Sequence, residues 1–517
     1  LAHLTPKIVV NEQQYRTLCE TCDLVLLAPD STMERVAIPW LHIIREHPVF
    51  LENYRHLFDP PARNCHALLG MLRSTYLNRA GWFLQLLRSC WTSGRPWFGP
   101  EKLPGSLDIL FISHLLNSSH AGQSLDFYFG NLPDELVSRG YSVAIALINH
   151  TSRPAEPLAE KWRNNRVARI VLSGSLHMLE ELALRRRLRR ESSRLRQRAQ
   201  ATAFGLERCV LARSSEEAIS GSSLATLRMA VQIGTLAAET KPKVIIVTHE
   251  GHSWERLAFA AVRRAVPGIK CIGYQHAALF RLQHAIRRNL SSEYNPDHIL
   301  TAGTVAKGQL DNAKGLNGLP TSVLGSNRAL NGISSRLRAA NADQISPGAH
   351  RACLVLPEGI ASECHLLFEF SLECARVCPD ITFIWRLHPI LSFKSLAARN
   401  GKLRNLPQNV ILSQTTLEAD ISRCSWALYR GTTAVVQAVV AGLRPLYLQL
   451  PEELTVDPLF ELDVWRKTLK SVEEFRNIIR SEGTMRSQDE ESSHREAVRY
   501  CREFFTPLNP RALEMIL

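Results

Sequence analysis

Short clusters of polar residues in this chain have the types and spacing that proton transfer and phosphate binding require. His249-Glu250-Gly251-His252 sets a carboxylate between two imidazoles, with Glu255 one helical turn further on. A carboxylate in such a position is a candidate base for removing a hydroxyl proton. Tyr274-Gln275-His276 loads the end of the next apolar run in the same way. Arg386-Leu387-His388-Pro389 joins a cation to a ring donor, which suits a phosphate or a pyrimidine edge, and its proline fixes the turn. Arg430-Gly431-Thr432-Thr433 opens an apolar helix, where free backbone N–H groups, two hydroxyls and an unhindered glycine make an anion site. Pro357-Glu358-Gly359, followed by Ser362, offers further phosphate contacts but reads equally as a turn with a helix cap. Each cluster alone also fits a structural role; His388 would satisfy a backbone carbonyl and Thr432 or Thr433 would cap a buried helix.

The elements that must position these residues are legible on either side of them. LDILFISH (107–114), YSVAIALINH (141–150), ARIVLSG (168–174), KVIIVTHEG (243–251), IKCIGYQH (269–276), HILTAG (298–303) and TSVLGS (321–326) are apolar runs of strand length. Helical patterns lie between most of them. A polar stretch at 336–351 reads as a linker, and a second series follows: ACLVLPEG (352–359), ITFIWRLHP (381–389), NVILSQ (409–414), WALYRG (426–431) and RPLYLQL (444–450). Apolar strands alternating with helices predict parallel sheets covered on both faces. The chain therefore divides into an N-terminal, mainly helical extension (1–105), a Rossmann-like domain (106–335), a second Rossmann-like domain (350–451) and a helical C-terminal segment (452–517). Within the extension, CDLVLLAP (22–29) reads as a buried strand and residues 64–91 as one or two amphipathic helices; a Gly/Pro-rich stretch at 92–106 marks the boundary. Ligands of such folds bind beyond the carboxyl ends of the strands. Two of these domains facing each other would direct the polar clusters into one cleft.

Bulk composition narrows the function classes. Hydrophobic residues make up 45% and charged residues 21% of 517, an ordinary globular composition for more than one domain. No run reaches the roughly 18 apolar residues of a membrane span, and the first residues lack a secretory pattern, so a cytoplasmic location is expected. The twelve cysteines are scattered; Cys271 and Cys353 lie inside apolar runs and read as core residues, and Cys19 and Cys22 have no partner pair at zinc spacing, which argues against a metal. A net charge of +13 owes much to residues 181–200, which hold eight arginines with leucines at 182, 184, 188 and 195. That segment reads as a helix with a solvated basic face, or as one that meets an anionic membrane surface or glycolipid. No nucleic-acid recognition module accompanies it. The absence of a GxGxxG or Walker A motif argues against a nicotinamide dehydrogenase or a P-loop ATPase.

RLHP followed by YRGTTAV resembles the HP and Ser/Thr motifs of GT-B glycosyltransferases that use CMP-activated sugars, such as bacterial sialyltransferases and Kdo transferases. HEGHSWE, GYQHA and LPEG are similar to a group of bacterial surface-carbohydrate (O-antigen) biosynthesis proteins. The resemblance covers 240–450 well, 107–240 loosely and 1–105 hardly at all. It implies a GT-B-like enzyme that needs no metal and no cofactor beyond its nucleotide-sugar donor. Glu250 and His252 would be catalytic, with Glu250 as the base. Arg386, His388, Pro389, Glu358, Gly359, Gly431, Thr432 and Thr433 would bind a donor such as CMP-linked Kdo or nonulosonic acid. Glu255, Gln275 and His276 would face a glycan or lipid-linked glycan acceptor at the inner face of the inner membrane. The sialyltransferase base sits in an acidic-acidic-Gly motif, whereas His249-Glu250-Gly251 has a single acid, which leaves sugar class and stereochemistry open. Also open are a UDP- or GDP-sugar transferase, a CDP-glycerol-type transferase, a nucleotide-sugar epimerase, and a non-catalytic scaffold of a membrane-associated assembly.

Overall fold

The computed structural model describes residues 10–58, 94–101, 103–329, 351–388, 390–481 and 488–517. The readings made for 64–91, for the linker up to residue 350 and for Pro389 lie outside those residues.

Buried parallel strands, covered on both faces, are apolar throughout, and the runs singled out above form two such sheets. The first contains β1 (Trp97–Phe98), β2 (Ile109–Leu115), β3 (Val143–Asn149), β4 (Ala168–Leu172), β5 (Val244–Thr248), β6 (Lys270–Gln275), β7 (His298–Thr301) and β8 (Thr321–Val323). Its order is β1-β4-β3-β2-β5-β6-β7-β8, and every pairing is parallel except β1 with β4. The second contains β9 (Ala352–Leu356), β10 (Thr382–Trp385), β11 (Val410–Leu412), β12 (Trp426–Tyr429), β13 (Arg444–Leu448) and β14 (Lys467–Leu469), ordered β11-β10-β9-β12-β13-β14 and wholly parallel.

In both sheets the chain winds outward to one side and then returns beside its first long strand. The order therefore reverses between β2 and β5 in one sheet and between β9 and β12 in the other. Such reversals leave a crevice at the strands' carboxyl ends. Glu250 follows β5, Glu358 follows β9 and Gly431 follows β12. These are two Rossmann-like domains facing across a cleft, with a helical N-terminal region, which is a GT-B arrangement.

The N-terminal region differs from expectation at 22–29. Those residues are not a strand; the helix Glu12–Leu26 includes most of them. Its buried side chains, Tyr15, Leu18, Cys19, Cys22, Val25 and Leu26, recur every three or four residues, and Asn11 and Gln14 form a capping box at its start. The helical period begins too far upstream for the apolar run alone to reveal it. Cys19 and Cys22 are free thiols in this packed face. Together with Val36, Leu41 and Tyr54, the face packs against Leu184, Leu188, Leu195, Leu227 and Leu257 of the first domain's helices. Buried ion pairs reinforce the contact: Arg35 Nε meets Glu191 at 2.7 Å, and within the domain Arg228 Nε meets Glu181 at 2.5 Å.

The C-terminal segment is helical only in part: turns and irregular chain precede β14, which adds an edge strand to the second sheet, and the helices Val472–Ser481, Gln488–Arg502 and Pro510–Glu514 follow it. Too short and too polar on its exposed residues, KTL carries no strand signal of its own. The helix Gln488–Arg502 buries Ala497 and Cys501 against Val435 and Val439 of the second domain. The chain then crosses back. Thr506 N donates to Ala302 O at 3.0 Å, Ser326 N to Thr506 O at 2.8 Å and Asn509 N to Leu324 O at 2.8 Å, while Leu513 enters the first domain's core. Gly325 permits this approach, since a Cβ there would lie 2.1 Å from Pro507 O. The helix Met178–Ala201 contains the arginine-rich segment; Leu184, Leu188 and Leu195 are buried, and Arg186, Arg189, Arg190 and Arg196 are exposed. No helix among the described residues is long and apolar enough to cross a membrane.

Candidate functional site

The carboxyl ends of the two sheets enclose a cavity of about 600 Å³. Eight of the residues singled out in the sequence line it: Glu250 and His252 from the first domain, and Glu358, Gly359, His388, Gly431, Thr432 and Thr433 from the second. Glu250 and His388 thus face one space. Further parts of the wall come from His42, Arg45, Phe50 and Tyr54 of the N-terminal region and from Glu217, Phe280 and Gln283.

On the first-domain side the turn after β5 is built around one oxygen. Glu255 Oε2 accepts the backbone N–H of Glu250 at 2.9 Å, of Gly251 at 2.7 Å and of His252 at 2.9 Å, and lies 3.0 Å from His249 Nδ1. Glu255 is buried, and three N–H donors on one of its oxygens hold it in the turn rather than at the cavity wall. Gly251 has φ +89°, and a Cβ there would lie 2.3 Å from the carbonyl carbon of Ala285. The turn accepts only glycine. It projects Glu250 and His252 into the cavity with His252 Nε2 3.4 Å from Glu250 Oε2.

Burial pulls the Glu250 carboxyl up, but the bond to His252 and the charges of His276, His252 and Arg45 outweigh it and hold it at about 2. Burial pulls the His252 imidazole down, and the bond to Glu250 with the charges of Glu255 and Glu250 reverses that, leaving it above its ordinary value. The pair is a carboxylate joined to an imidazole that favours its protonated form.

On the second-domain side, the turns after β9, β10 and β12 interlock. Arg430 is fully buried; its Nε meets Glu363 at 2.5 Å, Nη1 donates to Leu448 O at 3.2 Å and Nη2 reaches Glu453. That anchor fixes the start of the turn. Gly431 follows with φ +69°, and a Cβ there would fall 2.8 Å from the Glu358 carboxylate. The helix beyond it, Ala434–Val440, is short, and Thr432 Oγ1 accepts from Ala434 N at 3.3 Å. His388 Nδ1 accepts from Ile390 N at 3.4 Å, so Nε2 carries the ring proton. Burial lowers the His388 imidazole, which is consequently a neutral N–H donor near pH 7.

Glu358 is the contact that sequence reading did not foresee. Its carboxylate is bound across the cleft by the N-terminal segment: Arg45 Nη2 lies 3.1 Å from Oε2, and His47 Nε2 lies against Oε1. Burial raises the Glu358 carboxyl, and the His47 bond with the Arg45 and His47 charges overcomes this and lowers it. His47, Glu358 and Glu363 bring three potential metal ligands within 4.8 Å of one another. Their negative charge is already met by protein cations, Arg45 at Glu358 and Arg430 at Glu363.

Four singled-out residues do not line the cavity. Glu255 is spent on the β5 turn. Arg386 Nη1 turns to Asp420 at 2.8 Å and to Thr415 O at 2.8 Å, because the fully buried Asp420 carboxylate needs a cation. Gln275 is buried at the end of β6, and His276 packs edge-on against Tyr128 with centroids 4.3 Å apart. Pro389 lies outside the described residues. His42, Arg45 and His47 carried a signal nonetheless: IPWLHIIREHP interrupts an apolar run with four titratable residues, an unusual pattern for packing alone.

Replacing Glu255 with Gln should remove the charge that collects three N–H groups and destabilise the chain by about 2–3 kcal/mol. Chemical denaturation measures this, and an unchanged midpoint would show that the turn does not depend on the carboxylate.

No family model matches the chain, and no curated protein matches it. Among solved structures, it is similar to a glycosyltransferase of kitacinnamycin, at 13% identity over 80% of this chain and 99% of that one, with a TM-score of 0.45. It is similar to MurG of Acinetobacter baumannii, at 11% identity over 79% and 99%, TM-score 0.43. A third is the UDP-GlcNAc 2-epimerase of Neisseria meningitidis bound to UDP-GlcNAc, at 13% identity over 79% and 98%, TM-score 0.42. Likenesses this distant leave the chemistry to the residues of the cleft.

Proposed function

We propose that the chain is a glycosyltransferase that moves a sugar from a nucleotide-activated donor to a glycan or lipid-linked glycan acceptor. The observation that carries this reading is the shared cavity: Glu250 and His252 line one wall, and His388 with the Gly431–Thr433 turn lines the other. The donor's phosphate lies against the second domain. His388 Nε2–H and the Thr432 and Thr433 groups are neutral donors directed to it. The acceptor hydroxyl approaches from the first domain, with Glu250 as its base.

The chemistry is a displacement at the anomeric carbon. The acceptor oxygen forms its bond to that carbon as the bond to the phosphate oxygen breaks, and the leaving nucleotide keeps the electron pair. The hydroxyl proton passes to the Glu250–His252 pair. Donors held in place where negative charge grows on the phosphate stabilise the transition state more than the ground state. The preference for a CMP-linked Kdo or nonulosonic acid rests on the likeness of RLHP and YRGTTAV to the motifs of that group. Thermal shift with CMP, CDP, UDP and GDP tests it. CMP should raise the melting temperature most, and a response to UDP alone would move the donor to the UDP-sugars. Conversion of a UDP-sugar without an acceptor would make the enzyme an epimerase.

The site of action is the cytoplasmic face of the inner membrane. Exposed Arg186, Arg189, Arg190 and Arg196 form the basic face of the helix Met178–Ala201; Leu179 in its first turn is 65% exposed, and Phe204, three residues beyond its last, is 88% exposed. Cations flanked by apolar side chains suit an anionic lipid surface. Vesicles containing phosphatidylglycerol should sediment the chain, and charge reversal at these four arginines should release it. Equal sedimentation of both proteins would remove the membrane from the account.

Glu250→Gln should keep nucleotide affinity within about twofold and lower turnover by 10²-fold or more. Near wild-type transfer would exclude Glu250 as the base. The pH profile follows from the pair. While His252 holds its proton, Glu250 is a weak base, with its carboxyl at about 2. Turnover should rise as pH climbs through the His252 pKa, displaced above its ordinary 6.5. In His252→Gln the carboxyl loses the partner that depresses it, so the rising limb should move to lower pH. A limb that stays in place would separate His252 from the base.

A further inference from the structure

The donor site as described holds its phosphate with neutral groups, yet three carboxylates, Glu217, Glu250 and Glu358, share its wall. A phosphate entering such a wall is repelled unless a permanent cation faces it. Among the described lining residues one side chain is permanently cationic: Arg45, from the N-terminal segment.

We propose that Arg45 is the phosphate-binding cation of this site and that Glu358 is the residue that positions it. The inference rests on the nucleotide reading above and assigns the N-terminal segment a part in the reaction.

The geometry supports a cation held at one edge and free at the other. The guanidinium lies over the Phe280 ring, 4.5 Å from its centroid, and 5.1 Å from that of Phe50. Two aromatic faces fix its plane. Nη2 reaches Glu358 at 3.1 Å, and among the described residues the group makes no other hydrogen bond. A guanidinium carries five N–H donors in a rigid fork, so most of them remain for a ligand. The Arg45 side chain keeps 17% of its surface accessible.

Glu358 is itself held from a second side. His47 Nδ1 accepts from Val49 N at 3.2 Å, which leaves the proton on Nε2, the nitrogen against Glu358 Oε1. The carboxylate keeps this second neighbour when Arg45 takes up a phosphate. Because it also abuts Gly431, it delivers the guanidinium to the turn where His388, Thr432 and Thr433 converge. Arg45 also stands close enough to Glu250 to be among the charges that depress its carboxyl. It thus lies between the proton-accepting and phosphate-binding walls, where charge develops as the nucleotide departs.

Isothermal titration of the full chain with CMP and UDP, and with cytidine and uridine, tests the assignment. Arg45→Gln should weaken nucleotide binding at least about tenfold and leave the nucleosides within twofold, with Arg45→Lys recovering part of the loss. Undiminished nucleotide affinity in Arg45→Gln overturns the proposal. If the unaltered chain binds no nucleotide, the nucleotide reading itself fails and takes this assignment with it. Should Arg45→Gln not fold, phenylglyoxal labelling of the unaltered chain, read by peptide mass spectrometry, gives the answer. Nucleotide should slow modification of Arg45 at least about fivefold relative to nucleoside, and equal rates would overturn the proposal.

Discussion

The carboxylate of Glu358 joins three parts of the molecule at one point. It extends from the end of β9, at the crevice of the second sheet, and rests against Gly431 of the adjoining turn. Arg45 and His47 grip it from the N-terminal segment, which is itself packed on the helices of the first domain. Burying a carboxylate is costly, and a single imperfect partner would not offset it. The Arg45 guanidinium at 3.1 Å from one oxygen and the His47 ring against the other offset it together. The cavity keeps its shape because this tie and the C-terminal crossing at Ala302, Leu324 and Ser326 hold the two domains from different sides.

Opposite Glu358, Glu255 performs a local version of the same task. One buried oxygen gathers the N–H groups of residues 250, 251 and 252, so the base candidate sits on a turn that cannot sag. Arg430 does likewise beneath Gly431, satisfied by Glu363, Glu453 and Leu448 O. Polar and charged residues next to the cavity therefore fall into two kinds. Some are consumed in holding turns, and others, Glu250, His252, His388 and Arg45, keep donors or acceptors for a ligand. Rigid support of this sort is what a site needs if its groups are to be aligned before the substrate arrives.

This division explains what the sequence disclosed. Strands such as VIIVT and ACLVL announced themselves because both faces are buried, and the polar clusters after them marked the strand ends that face the cleft. Glu250, His388 and Gly431 could be found by that rule. Glu255 and Arg386 satisfy the rule equally well, but whether a charged side chain enters a cavity or its own turn depends on partners such as Asp420, far along the chain. The grip of Arg45 and His47 on Glu358 spans more than three hundred residues, and no local period encodes it. The helix Glu12–Leu26 was hidden for the opposite reason: its apolar stripe is spread over fifteen residues, and only its densest end looked like a strand.

The central claim is that one small ligand bridges the two walls of this cavity, and a crystal structure of the full chain with bound nucleotide tests it most directly. The account predicts the nucleotide phosphate within hydrogen-bonding reach of His388 and the Gly431–Thr433 turn, with open space between it and Glu250 large enough for a sugar ring. A nucleotide bound elsewhere, or one whose phosphate points away from Glu250 into solvent, would contradict it.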